Sequence, residues 1–159
     1  MGQLGRSARK VAAALAEHGI DAEVEELPAS TRSAADAAAA LGCEIAQITK
    51  SLVFRDVGND RPVLVLAAGP DRVDEGRLAE QLGVAVEQAP AAWVKQRTGF
   101  AVGGVPPLGH REPVTTLIDR GVLDQDQVWA AAGTPHAVFG VSPQVLAAAT
   151  GARTVSVAG

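Results

Sequence analysis

Only one cysteine, Cys43, occurs in the chain, which excludes an internal disulfide. Tyrosine is absent, and two Trp and three Phe are the only aromatic residues. That scarcity removes the aromatic platform on which proteins stack successive bases of a single strand. Positive charge is also short: 14 Lys and Arg stand against 18 Asp and Glu, a net charge of -4. A protein that grips nucleic acid by its phosphates carries a positive field, so any contact with RNA is expected to be local, or helped by another protein. No apolar run approaches the roughly 20 residues that a membrane-spanning helix needs. Met1 to Lys10 is polar and basic without an apolar stretch behind it, so neither a leader nor an anchor is expected. With nothing to suggest export, a cytoplasmic home is the expectation.

What is present suffices for one core. The 159 residues are 47% hydrophobic, and a single domain spanning 1–159 is expected. Val11 and Leu15 lie four apart beside Ala8 and Ala12, which predicts an amphipathic helix over Ser7 to His18, stopped by Gly19. Ala22 to Leu27 alternates weakly, as a short strand before Pro28. Ser33 with Asp36 three residues on reads as a cap for a helix that ends at Gly42.

Ile48 to Val57 and Pro62 to Ala68 are aliphatic runs separated by Gly58, Asn59 and Asp60, a hairpin pattern. Helices are expected over Asp74 to Leu82 and Pro90 to Gln96, and a strand over Phe100 to Val102. Further strands are expected near Val114 to Ile118, Val128 to Ala132, Ala137 to Val141 and Thr154 to Val157. Ser142 and Pro143 open a last helix to Thr150. This irregular order argues for an α+β fold: a mixed, largely antiparallel sheet flanked by helices.

Three features are able to carry chemistry. Lys50 opens an otherwise apolar strand, where a lysine either reaches solvent at the strand end or projects into a cleft. The run from Gly103 and Gly104 through Val105, Pro106 and Pro107 to His110 pairs exposed backbone amides with stiffening prolines. Such a loop presents fixed N–H donors to an oxyanion, or is simply a rigid turn. His136, in Gly133-Thr134-Pro135-His136, stands directly before a strand, within reach of a neighbouring loop or in plain solvent. His18, His110, His136 and Cys43 form no metal-binding spacing, so no metal is expected. Cys43 reads as an inert thiol, and no Gly-x-Ser-x-Gly elbow supports a serine nucleophile.

Taken together, Lys50 in KSLVF, the string from Gln96 to His110, TTLID from Thr115 and the final AAGTPHAVFGVSPQVL resemble the YbaK/prolyl-tRNA editing family, over about Ala22 to Val157. The resemblance implies an aminoacyl-tRNA deacylase acting on the acceptor end of a mischarged tRNA, either in trans or in association with a synthetase. No metal or organic cofactor is implied. Editing meets a physical need, because a synthetase pocket gains only about 1 to 3 kcal/mol from one methylene.

By that match Lys50 holds the phosphate, the adenosine or the carbonyl region, and Gly103 and Gly104 offer N–H groups to the ester oxygen. Pro107 fixes the loop. Ser51, Val105, Pro106 and His136 are substrate-side candidates; Ser51 either tunes the pocket or packs. The nucleophile is the terminal adenosine's free hydroxyl, a substrate thiol or water. Pro106 replaces a serine common in relatives that act on cysteinyl-tRNA, and their tyrosine has no counterpart here, which leaves cysteine, alanine and serine open as the acyl group. A noncatalytic module that binds a synthetase or charged tRNA is the rival expectation, and a hydrolase of small aminoacyl esters is a third.

Overall fold

The computed structural model describes residues 5–28, 31 and 33–158. Helix α1 (Arg6–Glu17) turns Ala8, Val11, Ala14 and Leu15 inward, as the spacing requires. Strand β1 (Val24–Glu26) follows, then α2 (Ala34–Leu41), whose first turn is capped by Ser33 Oγ accepting from the Asp36 N–H at 3.1 Å. The left-handed Gly42, at φ 69°, ends it.

Strands β2 (Ile48–Asp56) and β3 (Arg61–Ala68) form the expected hairpin, in register from Thr49 opposite Ala68 to Asp56 opposite Arg61. The turn holds because the Asp56 carboxylate accepts from the Asn59 amide nitrogen and side chain, at 3.2 and 2.9 Å. Next come α3 (Glu75–Leu82), β4 (Val86–Gln88), α4 (Ala91–Thr98), β5 (Thr115–Asp119) and α5 (Arg120–Leu123). The chain then runs through β6 (Val128–Ala131), β7 (Ala137–Val141), α6 (Pro143–Thr150) and β8 (Arg153–Val155).

The strands form one sheet in the order β1-β7-β6-β2-β3-β5-β8, with β4 also pairing with β2. Four of its pairings are antiparallel and three parallel, among the described residues. Alternation along β3 sends Leu64 and Leu66 to one face, where Leu15, Val94, Phe139 and Leu146 pack. Val63 and Val65 face the other side, against Leu78 of α3 and Phe54. Each fully buried side chain of this kind contributes about 1.5 to 3 kcal/mol. A third cluster joins α2 to Ile48 and Trp129, with Cys43 half-buried against it.

One expectation fails. Residues 100–102 are a bend and turn rather than a strand, because no strand pairs with them. Phe100 is instead plugged into the core, and its N–H donates to Thr98 Oγ1 at 3.1 Å. No helix among the described residues is long and apolar enough to cross a membrane.

Candidate active site

The sheet is interrupted along one edge of β2. Strand β6 pairs with Ile48 and Thr49, whereas β4 takes up pairing only at Phe54. Between them Lys50 to Val53 have no strand on that side, and the loop that follows α4 reaches the same opening. Two cavities meet there, of about 540 and 310 Å³, and both are lined by Lys50, Ser51, Leu52 and Val102. Arg72, Gln88 and Val105 extend the larger one; Ala37 of α2, Gly103, Trp129 and Pro135 extend the smaller.

Lys50 is half-buried opposite Ala67 and donates from Nζ to the Asp71 carbonyl. Burial pushes its pKa below the usual lysine value; the nearby Asp71 opposes that shift and Arg72 adds to it. The lysine therefore points into the cleft rather than out from a strand end.

Gly103 lines the smaller cavity together with Lys50, in the left-handed region at φ 91°, and its N–H makes no hydrogen bond among the described residues. Gly104 behaves differently from the expectation of a second donor. Its N–H donates to the Ala101 carbonyl at 3.0 Å, closing the turn, and its own carbonyl accepts from the Gly133 N–H at 2.9 Å. A Cβ at position 104 would lie 2.6 Å from the Thr134 Cα. Gly104 is thus a close-approach residue, and of the two glycines only Gly103 offers a free amide.

The rest of the motif holds this loop from behind. Val105 is buried and lines the larger cavity, but Pro106 and Pro107, both buried, line neither. The Pro106 carbonyl accepts from His110 Nε2 at 2.6 Å, which fixes the proton on that nitrogen. Burial pulls the pKa of His110 below its ordinary value, and the bond to Pro106 works against that. The Arg111 N–H donates to the Thr98 carbonyl at 2.9 Å and closes the segment at its base.

His136 does not line either cavity, although Pro135 and Ala137 beside it line the smaller. Its carbonyl accepts from the Leu27 N–H at 2.6 Å, and its Nδ1 is buried without a partner. Two further buried polar atoms share that state, the hydroxyls of Thr49 and Ser51. Sequence reasoning singled out Ser51 by its position after the lysine and passed over Thr49, whose hydroxyl type alone carried no signal. Cys43 lies outside both cavities, with its thiol pKa pushed up chiefly by burial.

Residues 28–149 match the family model for the aminoacyl-tRNA editing domain. A solved structure described as a candidate trans-editing enzyme for prolyl tRNA synthetase superposes with a TM-score of 0.94, at 43% identity over 99% of each chain. The uncharacterized protein YwhH of Bacillus subtilis (strain 168) is 27% identical over 124 residues, 78% of either chain. Proline--tRNA ligase of Limosilactobacillus fermentum is 37% identical over 89 residues, 54% of this chain but 16% of the ligase. With three-quarters of its length under the family model, the chain belongs to the aminoacyl-tRNA editing domain family.

Proposed function

We propose that this protein is a trans-acting deacylase that hydrolyses the ester of a mischarged aminoacyl-tRNA, of the proline acceptor type, carrying a small acyl group such as alanine, cysteine or serine. The observation that carries the reading is that Lys50 and Gly103, whose N–H makes no hydrogen bond among the described residues, line one 310 Å³ cavity. The acyl group enters that smaller, mainly apolar cavity. The terminal nucleotide occupies the larger one, where Lys50 and Arg72 offer positive charge to a phosphate. Because the whole chain is acidic and only Lys50 and Arg72 bring positive charge to the cleft, which Glu75 also lines, recognition is confined to the acceptor end.

Among the described residues, neither cavity is lined by a histidine or cysteine, so Ser51 has no neighbouring imidazole to activate it. This favours attack by water, oriented by the free hydroxyl of the terminal adenosine: the water oxygen joins the acyl carbon while a proton goes to the leaving ribose oxygen. The alternative is attack by a substrate thiol, which releases the tRNA and a thiolactone. As the carbonyl carbon becomes tetrahedral, negative charge grows on its oxygen. The Gly103 N–H donates to that oxygen and the Lys50 ammonium stabilises the charge. The ester bond then breaks, freeing the tRNA hydroxyl. The cytoplasm, where tRNA is charged, is the compartment this role implies, and a synthetase is the partner it suggests.

The test is deacylation of a panel of mischarged proline tRNAs by the wild type and by Lys50→Ala and Gly103→Ala. Lys50→Ala is expected to lose about a hundredfold or more in rate, the scale of one lost stabiliser of the oxyanion. Gly103→Ala keeps its N–H and is expected to slow turnover because a Cβ at φ 91° strains the turn and moves the amide off the ester oxygen. Unchanged rates in both would remove the site assignment. Binding of charged tRNA with no hydrolysis of any panel member would make the chain a docking module instead.

A further inference from the structure

Successive residues of a strand turn their N–H and C=O groups to opposite edges, so pairing on one side fixes where each residue's main chain points. Along β2 the cleft side belongs to the odd-numbered residues. The Val53 carbonyl accepts from the Ala89 N–H at 3.4 Å and the Val57 N–H donates to the Ala85 carbonyl at 3.0 Å, on either side of the pairing of Arg55 with Glu87. At the other end β6 stops pairing at Thr49. Ser51 therefore aims both its N–H and its C=O into the gap between β6 and β4, and neither has a partner among the described residues. Ser51 lines both cavities although its hydroxyl is buried, so the polar groups it can show them are those of its main chain.

The extent of the gap limits what fits. Lys50 and Leu52 turn their main-chain groups the other way, opposite Ala67 and Val65 of β3, and the Val53 carbonyl is spent on Ala89. One residue thus keeps a donor and an acceptor side by side, and an antiparallel neighbour exchanges both bonds with such a residue. A peptide strand would need a longer run of free groups; a single amino-acid unit needs only this one. An aminoacyl ester is such a unit, with a carbonyl oxygen that accepts and an α-ammonium that donates. No carboxylate lines the smaller cavity among the described residues, which leaves carbonyls as the strong acceptors for that ammonium. The loop beside it offers the Gly103 amide, whereas that of Gly104 is spent on Ala101, so the loop supplies one glycine donor where two were expected.

We propose that the acyl unit docks on the β2 edge as the one missing strand residue, its ester carbonyl accepting from the Ser51 N–H and its α-ammonium donating to the Ser51 C=O. The Ser51 amide then joins that of Gly103 on the developing oxyanion, as the second donor that Gly104 does not provide. The inference rests on the reading of this cleft as an editing site. Because these contacts run main chain to main chain, they hold any α-amino ester alike and leave the choice of side chain to the cavity walls.

The experiment measures kcat/KM for alanyl-tRNA and propionyl-tRNA, which lacks the α-nitrogen, on one proline tRNA. Each value is divided by the rate of the same ester without enzyme, which removes the ammonium's own activation of the ester. The wild type is expected to prefer the alanyl ester by about tenfold or more, the scale of a hydrogen bond to a charged group. Ser51→Pro deletes the N–H and keeps the C=O. It is expected to lose about a hundredfold on alanyl-tRNA, as for one oxyanion donor, while the preference over propionyl persists. Thermal melting is measured beside Leu52→Pro, which deletes an N–H aimed at β3. Ser51→Pro is expected to melt near the wild type and Leu52→Pro far below it, because only the second breaks the ladder. A wild type that treats both esters alike, a fully active Ser51→Pro, or a Ser51→Pro as unstable as Leu52→Pro overturns the proposal while leaving deacylase function in place. A wild type that hydrolyses no aminoacyl-tRNA overturns both.

Discussion

The two ends of the β2–β3 hairpin are built on opposite terms. Around the turn five charged side chains form a network: Arg55 pairs with Asp60 and Glu87 at 2.7 Å each, and Arg97 with Asp60 at 2.5 Å and Glu112 at 3.3 Å. Arg97 also lies over the Trp93 ring, 5.0 Å from its centre, and ties α4 to the turn. At the open end the pattern reverses. Lys50 is desolvated, two hydroxyls are orphaned, and four residues of strand edge have no partner strand on the cleft side. One end satisfies its polar groups from within, and the other leaves two hydroxyls without partners among the described residues. Local satisfaction thus separates a structural region from a candidate site within one pair of strands.

The sharpest way to break that contrast is Lys50→Met, which keeps the apolar stem and removes the half-buried cation. Deacylation should fall about a hundredfold or more while the melting temperature holds or rises. A variant that unfolds would show Lys50 to be a structural lysine after all. Next in size is Gly104→Ala, whose new Cβ meets the Thr134 backbone. A cost of about 1 to 3 kcal/mol in urea unfolding is expected, together with slower turnover as the loop shifts. Wild-type stability in this variant would mean that the loop is not seated on residues 133–135.

A third, smaller effect concerns pH. Because the folded-state pKa of Lys50 lies below its unfolded value, the unfolded chain binds more protons in the window between the two. Raising pH through that window should therefore increase stability as it lowers deacylation, and Lys50→Met should abolish the stability slope. Parallel changes in the two quantities would contradict this. The smallest effect belongs to the paired end. Asp60→Asn should lower the melting temperature modestly with little change in kcat, and added salt should shrink the difference. The pKa of Asp60 is depressed, first by its bond to Arg55, so its contribution is present above the ordinary carboxylate range and lost as pH falls through the folded value. Melting curves of both proteins should converge on acidification.

Most of the fold was legible because its punctuation is local. Ser33, Asp74 and Ser142 cap the helices they precede, and Gly42, Gly83 and Gly151 end them in the left-handed conformation. Strand β4 and helix α5 were missed for a common reason: three or four residues carry no period, and both exist only through tertiary bonds. Helix α5 begins where Asp119 accepts from the Gly121 N–H at 2.9 Å, while the same buried carboxylate accepts from the Val157 and Ala158 amides. At the site, the lysine and the glycine loop announced themselves by residue type. Which glycine amide is already spent, and which hydroxyls lack partners, depends on contacts between positions 104 and 133 or across β2, which spacing along the chain does not encode.

The loop that presents Gly103 is pinned by Phe100, Val105 and Leu108, none more than 5% exposed. Swinging it aside would drag three apolar anchors into water, so it does not serve as a lid. On the proposed reading, an arriving ester would meet a rigid mould rather than a closing jaw, and movement of this loop is not expected to limit turnover.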